Sequence, residues 1–335
     1  LQGRSPFRPE PTLIAEQVVY DATANRVAYD VNWFNYYSSN QDLREVYDSS
    51  GHVLFIDKLN RNGGWLPRQT VPDTRERVTR QLPHMLLADA LAQRKTLQYM
   101  GRERHAGQPV DVISYTTSAS ELMTISIGTQ NHLVSSAAAV IEMPLLGDTQ
   151  MTWQWSDYKK TGQSLWIPRH LEVRLGDKVL KDAAISFELG IDEASFEPPA
   201  GLSVEDPPER FAPLSDFVPY GQRPPEVEEI VPGVFVVNGL RPGFRVLFLE
   251  FSNFVLAVDA PTGWYEMNQI PPMNWSYGDS VAALAAKLQR AISEAVPGKP
   301  LRYVALTHHH SDHIGGLRAF AETGVTFLAG EASAS

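Results

Sequence analysis

The stretch LRYVALTHHHSDHIGGLRAF, residues 301–320, decides how the rest of the chain is read. It opens with RYVAL (302–306), an unbroken apolar run that suits a buried strand. Positions 308–313 then hold His308, His310, Asp312 and His313, side chains of the types that bind zinc at about 2.0–2.2 Å. On an irregular turn leaving a strand, His308 and His310, two apart, can aim at one ion while His309 points elsewhere. Asp312 and His313 are then available to a second ion beside the first. Gly315 and Gly316 remove Cβ bulk where a following helix must pack closely under the site, and Thr307 can brace the turn through its hydroxyl. Strand, turn and helix in that order give a ligand-bearing loop a rigid mount. A triple histidine can also be a tag, but tags are terminal and longer, and this one is embedded in the chain.

The residues before this stretch read as its scaffold. VPGVFVVNG (231–239) and RVLFLEFSNFVLAVDAP (245–261) are strand-like, the latter as two strands joined tightly near Ser252 and Asn253. DSVAALAAKLQRAISEA (279–295) reads as a helix, with Asp279 or Ser280 as N-cap and Val296, Pro297 and Gly298 ending it. GVTFLAG (324–330) is a final strand. The loop 261–278 carries Trp264, Tyr265, Trp275 and Tyr277, either as an apolar wall over a substrate or as a crossover packed on its own domain.

THHHSDHIGG resembles the T-H-x-H-x-D-H-x-G-G signature of the metallo-β-lactamase superfamily, and the resemblance extends over about 231–329. It implies an αββα sandwich with one or two Zn(2+) ions between its sheet edges. His308 and His310 would serve the first metal, Asp312 and His313 the second. Asp312 would also orient the nucleophile and accept its proton, while Asp259 and Thr307 would brace the turn from behind. Metal-bound water, its pKa lowered toward about 7, would attack a carbonyl or phosphoryl centre. The superfamily draws further ligands from positions well downstream, whereas this chain ends at Ser335. The expectation is therefore the N-terminal part of a longer protein, with at most two ligands per metal and little activity alone.

The first half of the chain has a period of two. MTWQW (151–155) and LEVRL (171–175) alternate strictly, as a strand must when one face is covered and the other wet. Further strand-like runs begin at Arg26, His52, Pro109, Glu121, His132 and Lys178, and short links such as LGDT (146–149) and LGDK (175–178) make neighbours antiparallel. One helix, about 83–94, interrupts them and is available to cover a concave face. The run IEMPLLGDTQMTWQWSDYKKTGQSLWIPRHLEVRLGDKVLKDAAISFEL (141–189) resembles the LolA-like half-barrel of periplasmic lipoprotein carriers. That resemblance implies a lipid or acyl ligand and a periplasmic or secreted location. Trp153, Trp155 and Trp166 then either line a cavity or are ordinary core aromatics.

Between the halves, residues 197–232 hold nine of the 24 prolines and eight acids against two arginines, a composition that favours extended chain. Either a linker or a strap packed on one domain through Phe211, Phe217 and Tyr220 fits it. The fold class expected is α+β: an antiparallel half-barrel over 13–199, a Pro-rich acidic linker over 200–229, and the first half of a metallo-β-lactamase sandwich over 230–335. The net charge of −10 argues against nucleic acid as a partner. No apolar run approaches the roughly 20 residues of a spanning helix. The absence of cysteine excludes thiolate catalysis, disulfides and Cys-type zinc sites. Three functions fit: a zinc-dependent hydrolase of a small-molecule ester, lactone, thioester or β-lactam; an exported hydrophobic-ligand carrier with a non-catalytic metallo-domain; and a phosphodiesterase or nuclease, which the acidic charge disfavours.

Overall fold

The computed structural model describes residues 2–4, 11–34, 41–47, 53–59, 61–66, 79–118, 121–143, 147–162, 165–202, 224–241, 244–261, 281–308 and 311–331. The chain divides into two compact units, one of Leu1–Ile141 with Asp148–Phe211, the other of Glu142–Gly147 with Ala212–Ser335. Both are β-rich with few helices. This β-rich character departs from the expected α+β class; of the expected first half of a sandwich, unit 2 supplies, among the described residues, one sheet and its covering helix.

Unit 1 begins with β1 (Gln2–Arg4), β2 (Pro11–Asp21), β3 (Arg26–Phe34), β4 (Gln41–Tyr47), β5 (Val53–Asp57) and β6 (Asn62–Leu66). The helix α1 (Pro83–Ala92) follows, with proline in its first turn, where the missing N–H costs nothing. Then come β7 (Gln98–His105), β8 (Gln108–Thr116), β9 (Leu122–Gly128), β10 (Val134–Met143), β11 (Gly147–Ser156), the ribbon β12 (Lys159–Lys160) and β13 (Trp166–Ile167), β14 (His170–Leu175) and β15 (Lys178–Ala184). Apart from the ribbon, these form one sheet in the order β6-β5-β4-β3-β2-β1-β15-β14-β11-β10-β9-β8-β7. The three residues of β1 join its two halves, pairing antiparallel with β2 on one side and β15 on the other.

The sheet cannot be flat. From α1, Met85 packs into a cluster with Val27, Tyr29 and Val31 of β3, Leu43 and Tyr47 of β4, and Val53 of β5. The Asp89 carboxylate of the same helix accepts a hydrogen bond from the Tyr115 hydroxyl of β8 at 3.1 Å. β3 and β8 are eight strand spacings apart, about 38 Å in a flat sheet, whereas a ten-residue helix is about 15 Å long. The sheet therefore wraps around α1. Trp153 and Trp155 point inward and are buried, and the Trp155 indole N–H donates to the Gln81 carbonyl at 3.0 Å. Both are core aromatics, whereas Trp166 is 45% exposed.

Alternate residues of β3–β5 face the other way. Ala28, Val46, Leu54 and Ile56 pack with Phe196, which lies in a single 3₁₀ turn, Glu193–Phe196. Arg26 lies over the Phe196 ring at 4.0 Å and pairs with Glu193 at 2.7 Å. Within the proline-rich segment, Leu202 packs against the same cluster and the Glu197 carbonyl accepts from Arg44 at 3.2 Å, so its beginning is strapped onto unit 1. Phe211, Phe217 and Tyr220 lie outside the described residues.

Unit 2 has the sheet order β16 (Glu226–Val231), β17 (Val234–Arg241), β18 (Phe244–Glu250), β19 (Val255–Val258), β20 (Leu301–Ala305), β21 (Thr326–Leu328). β16 corrects the linker reading: residues 226–229 are strand, because once the prolines stop, EVEEIV pairs with β17 across a two-residue Pro232–Gly233 turn, Gly233 having φ 78°. β16 to β19 are antiparallel neighbours, and β19, β20 and β21 run parallel. The helix α2 (Val281–Ala295) buries Leu284, Ala285, Leu288, Ala291 and Ile292, a three-and-four spacing that makes one apolar stripe. The stripe joins a core with Val237, Val246, Val255, Ala257, Val304 and the stacked pair Phe235 and Phe248, whose centroids are 4.7 Å apart. Two short helices, α3 (Ser311–Ile314) and α4 (Leu317–Ala321), follow β20.

Candidate metal centre

The pairing of two parallel strands places the site. Val258 ends β19 opposite Ala305, which ends β20, so Asp259 and Thr307 emerge beside each other at the carboxyl ends of adjacent strands. Asp259 takes a left-handed backbone conformation, φ 67°, which costs an L-residue free energy unless its surroundings hold it. They do. Its N–H donates to the Ala305 carbonyl at 2.7 Å, the next N–H, of Ala260, donates to the His313 carbonyl at 2.9 Å, and the Gly316 N–H donates to the Ala260 carbonyl at 2.8 Å. Gly316 is required here because a Cβ would sit 2.7 Å from the Ala260 oxygen.

The kink turns the Asp259 side chain, 11% exposed, toward Thr307 and His313. Its Oδ1 accepts the Thr307 N–H at 2.8 Å, and its Oδ2 lies 2.8 Å from the Thr307 hydroxyl and 2.8 Å from His313 Nδ1. Thr307 Oγ1 also lies 3.0 Å from His308 Nδ1. A carboxylate only accepts, and a threonine hydroxyl has one proton. The hydroxyl therefore donates to Asp259 and accepts from His308 Nδ1–H, while His313 Nδ1–H donates to Asp259 directly. One buried carboxylate thus sets both tautomers, leaving the lone pair of each neutral ring on Nε2. The two rings are 4.2 Å apart, tilted by 53°.

Imidazoles with the proton on the far nitrogen, steadied by a carboxylate, are an arrangement that divalent-metal sites commonly use. The residues present fit such an ion. The structure brings together His308, His313, Thr307 and Asp259. Asp312 lies in α3 with its side chain outside the described residues, as do His310, Trp264, Tyr265, Trp275 and Tyr277 altogether. Among the described residues no group of three or more His, Cys, Asp or Glu side chains converges on one point. Sequence reading missed the part played by Ala260, whose backbone groups tie the Asp259 kink to the turn; the only sequence signal for it is Gly316, the residue that makes room.

No curated protein sequence matches the chain. Among solved structures, it is similar to a domain described as an outer membrane lipoprotein-sorting protein from Vibrio parahaemolyticus, at 10% identity and a TM-score of 0.32, over 55% of this chain and 88% of that one. A DUF1329 family protein from Desulfovibrio piger gives 10% identity and a TM-score of 0.33, over 60% and 88%. MucB gives 10% and 0.22, over 72% and 64%. The region that holds α2, β20 and the histidine turn, residues 278–326, matches the family model of the metallo-beta-lactamase superfamily.

Proposed function

We propose that unit 2 is the metal-bearing part of a zinc-dependent hydrolase acting on an ester, lactone, thioester or β-lactam. The observation that carries this reading is the Asp259 carboxylate, which orders His308 through Thr307 and His313 directly. His308, His310, Asp312 and His313 would hold one or two ions, and when bound the metal would supply hydroxide near neutral pH. Asp259 and Thr307 keep both imidazoles in one tautomer and one orientation, so that little reorganisation is needed on binding. Asp312, at the start of the helix after the turn, would orient the nucleophile and take up its proton. The test is hydrolysis of chromogenic esters, lactones and a β-lactam by the purified full-length protein, with zinc content measured in parallel. Turnover abolished by EDTA and restored by zinc is the expected result; turnover indifferent to EDTA, or no stoichiometric transition metal, would reject it.

For unit 1 we propose a half-barrel that takes a lipid or acyl chain, in a periplasmic or secreted protein. The wrap of the sheet around α1 supports this, since displacing one ten-residue helix would open its concave face. Mass spectrometry of organic extracts of the purified protein should find a stoichiometric lipid; an extract free of lipid would count against it. No helix among the described residues is long and apolar enough to cross a membrane.

A further inference from the structure

Three side chains on the outward face of the unit 1 sheet form a hydrogen-bonded series that takes no part in the proposed metal site. Ser156 ends β11 and is directly paired with His170, which opens β14; Asp182 lies on the next strand, opposite Glu172. Trp155, Leu171 and Ala183 point inward and are buried, so Ser156, His170 and Asp182 share the other face. Ser156 Oγ lies 3.2 Å from His170 Nδ1, and His170 Nε2 lies 2.6 Å from Asp182 Oδ1.

The chemistry of the three groups sets the direction of these bonds. Asp182, as a carboxylate, accepts, which places the proton of the neutral ring on Nε2. Nδ1 then has only a lone pair to offer, and the Ser156 hydroxyl must donate to it. That is the polarity in which an imidazole can remove a serine proton while a carboxylate steadies the imidazolium that results. Here the ring is turned end for end relative to the familiar arrangement, with Nδ1 toward the serine, and the proton inventory is the same.

Polar ladders often decorate sheet faces without doing chemistry. This one opens into a cleft of about 970 Å³ whose lining includes Ser156, His170, Gln154, Tyr158 and Trp166. Immediately after Ser156 the chain turns through Asp157 at φ 54° and enters the β12–β13 ribbon, which carries Trp166. Nucleophile and base thus lie at the foot of a short flap with an exposed indole, a suitable apolar wall for a small acyl group.

We propose that Ser156 and His170 are nucleophile and general base of a metal-independent acyl-transfer centre, with Asp182 as positioning residue, acting on small carboxylic esters. Ser156 Oγ attacks the carbonyl carbon as its proton passes to His170 Nδ1. The bond to the leaving alcohol breaks, and the alcohol departs with that proton. Water, deprotonated by the same nitrogen, then attacks the acyl-serine, giving the carboxylic acid and restoring the Ser156 hydroxyl.

The test is labelling of the full chain by a fluorophosphonate in excess EDTA, which makes the outcome independent of unit 2. The Oγ–P bond forms, the P–F bond breaks, and HF is lost. The expected result is a single adduct on the Ser156 peptide, no such adduct in Ser156→Ala at an unchanged melting temperature, and a rate about 100-fold lower in His170→Gln. Asp182→Asn should also slow labelling, and Asp182→Glu should restore part of the rate, which loss of a merely structural contact would not predict. No adduct, an adduct on another residue, or a rate unchanged in His170→Gln would overturn the proposal.

Discussion

The two units bury polar groups in different places. Unit 1 carries charge inside its wrapped sheet: the Lys181 ammonium, from β15, pairs with Glu16 of β2 and donates to Gln81 Oε1 at 2.9 Å, with side chains 8% and 5% exposed for the ion pair. Arg80, 5% exposed, pairs with Glu121 nearer the rim and lies over the Trp153 ring at 5.3 Å. Unit 2 buries an apolar core, into which Lys287 of α2, 5% exposed, donates to the Gly239 carbonyl at 2.8 Å, and keeps its buried carboxylate, Asp259, at the ends of two parallel strands beside Thr307 and His313. The comparison teaches that position decides what a buried charge does: within a core it is bound up with stability, and at a strand end it orders a loop, as Asp21 at the end of β2 also does by accepting the Thr23 and Ala24 N–H groups at 3.0 Å.

That contrast can be broken from either side. In unit 1, Lys181→Met leaves the Glu16 carboxylate buried without its partner and should cost about 3–5 kcal/mol. The double variant Lys181→Met with Glu16→Leu should recover most of the loss in urea denaturation. In unit 2, Phe248→Ala removes one ring of a stacked pair from an apolar core and should cost about 3–5 kcal/mol, with no second substitution of a charged group able to offset it. If neither variant shifts the midpoint of urea unfolding, the contrast fails.

Gly316→Ala sets a methyl 2.7 Å from the Ala260 carbonyl. It should cost about 1–3 kcal/mol by thermal melting and loosen zinc at the same time, because the displaced carbonyl belongs to the segment that holds Asp259. Asp259→Asn should leave stability closer to wild type yet weaken zinc binding about 10- to 100-fold in a competitive chelator titration. An equal loss of stability and metal in both variants would erase the distinction between support and ligand ordering.

The smallest effect belongs to His84, on α1. Burial holds its pKa below the usual 6.5, opposed in part by a hydrogen bond with the Trp166 backbone. A ring that resists protonation when folded but not when unfolded contributes stability above pH 6.5, and that contribution is lost as pH falls below it. Melting temperatures of wild type and His84→Gln should diverge slightly between pH 7.5 and about pH 5.5; parallel curves would assign the residue no such part.

Much of unit 2 was legible along the chain. The apolar stripe of α2, the strand before the histidines and the small residues after them are local patterns, and each marks an element because side-chain period and backbone geometry are tied together. In unit 1, β2 and β4 escaped notice. Apolar residues are adjacent in PTLIAEQVVYD, and QDLREVY is largely polar, so neither shows the clean period of LEVRL. β1 escaped because three residues have no period at all; only pairing with strands distant in sequence makes Gln2–Arg4 a strand. β16 was hidden by prolines beside it.

For the site, spacing alone drew attention to His308, His310, Asp312 and His313, because imidazole and carboxylate donors crowded on a turn have few other uses. The sequence by itself determined the donor types, the strand and helix on either side of the turn, and the need for a small residue at Gly316. The tertiary structure alone decided that Asp259, about fifty residues earlier, closes on Thr307 and His313, and that Ser156, His170 and Asp182 stand in line across three strands. The physical reason is range: turn and helix signals act over a few residues, whereas strand register, which brings distant side chains within hydrogen-bonding reach, is set by the packing of the whole sheet.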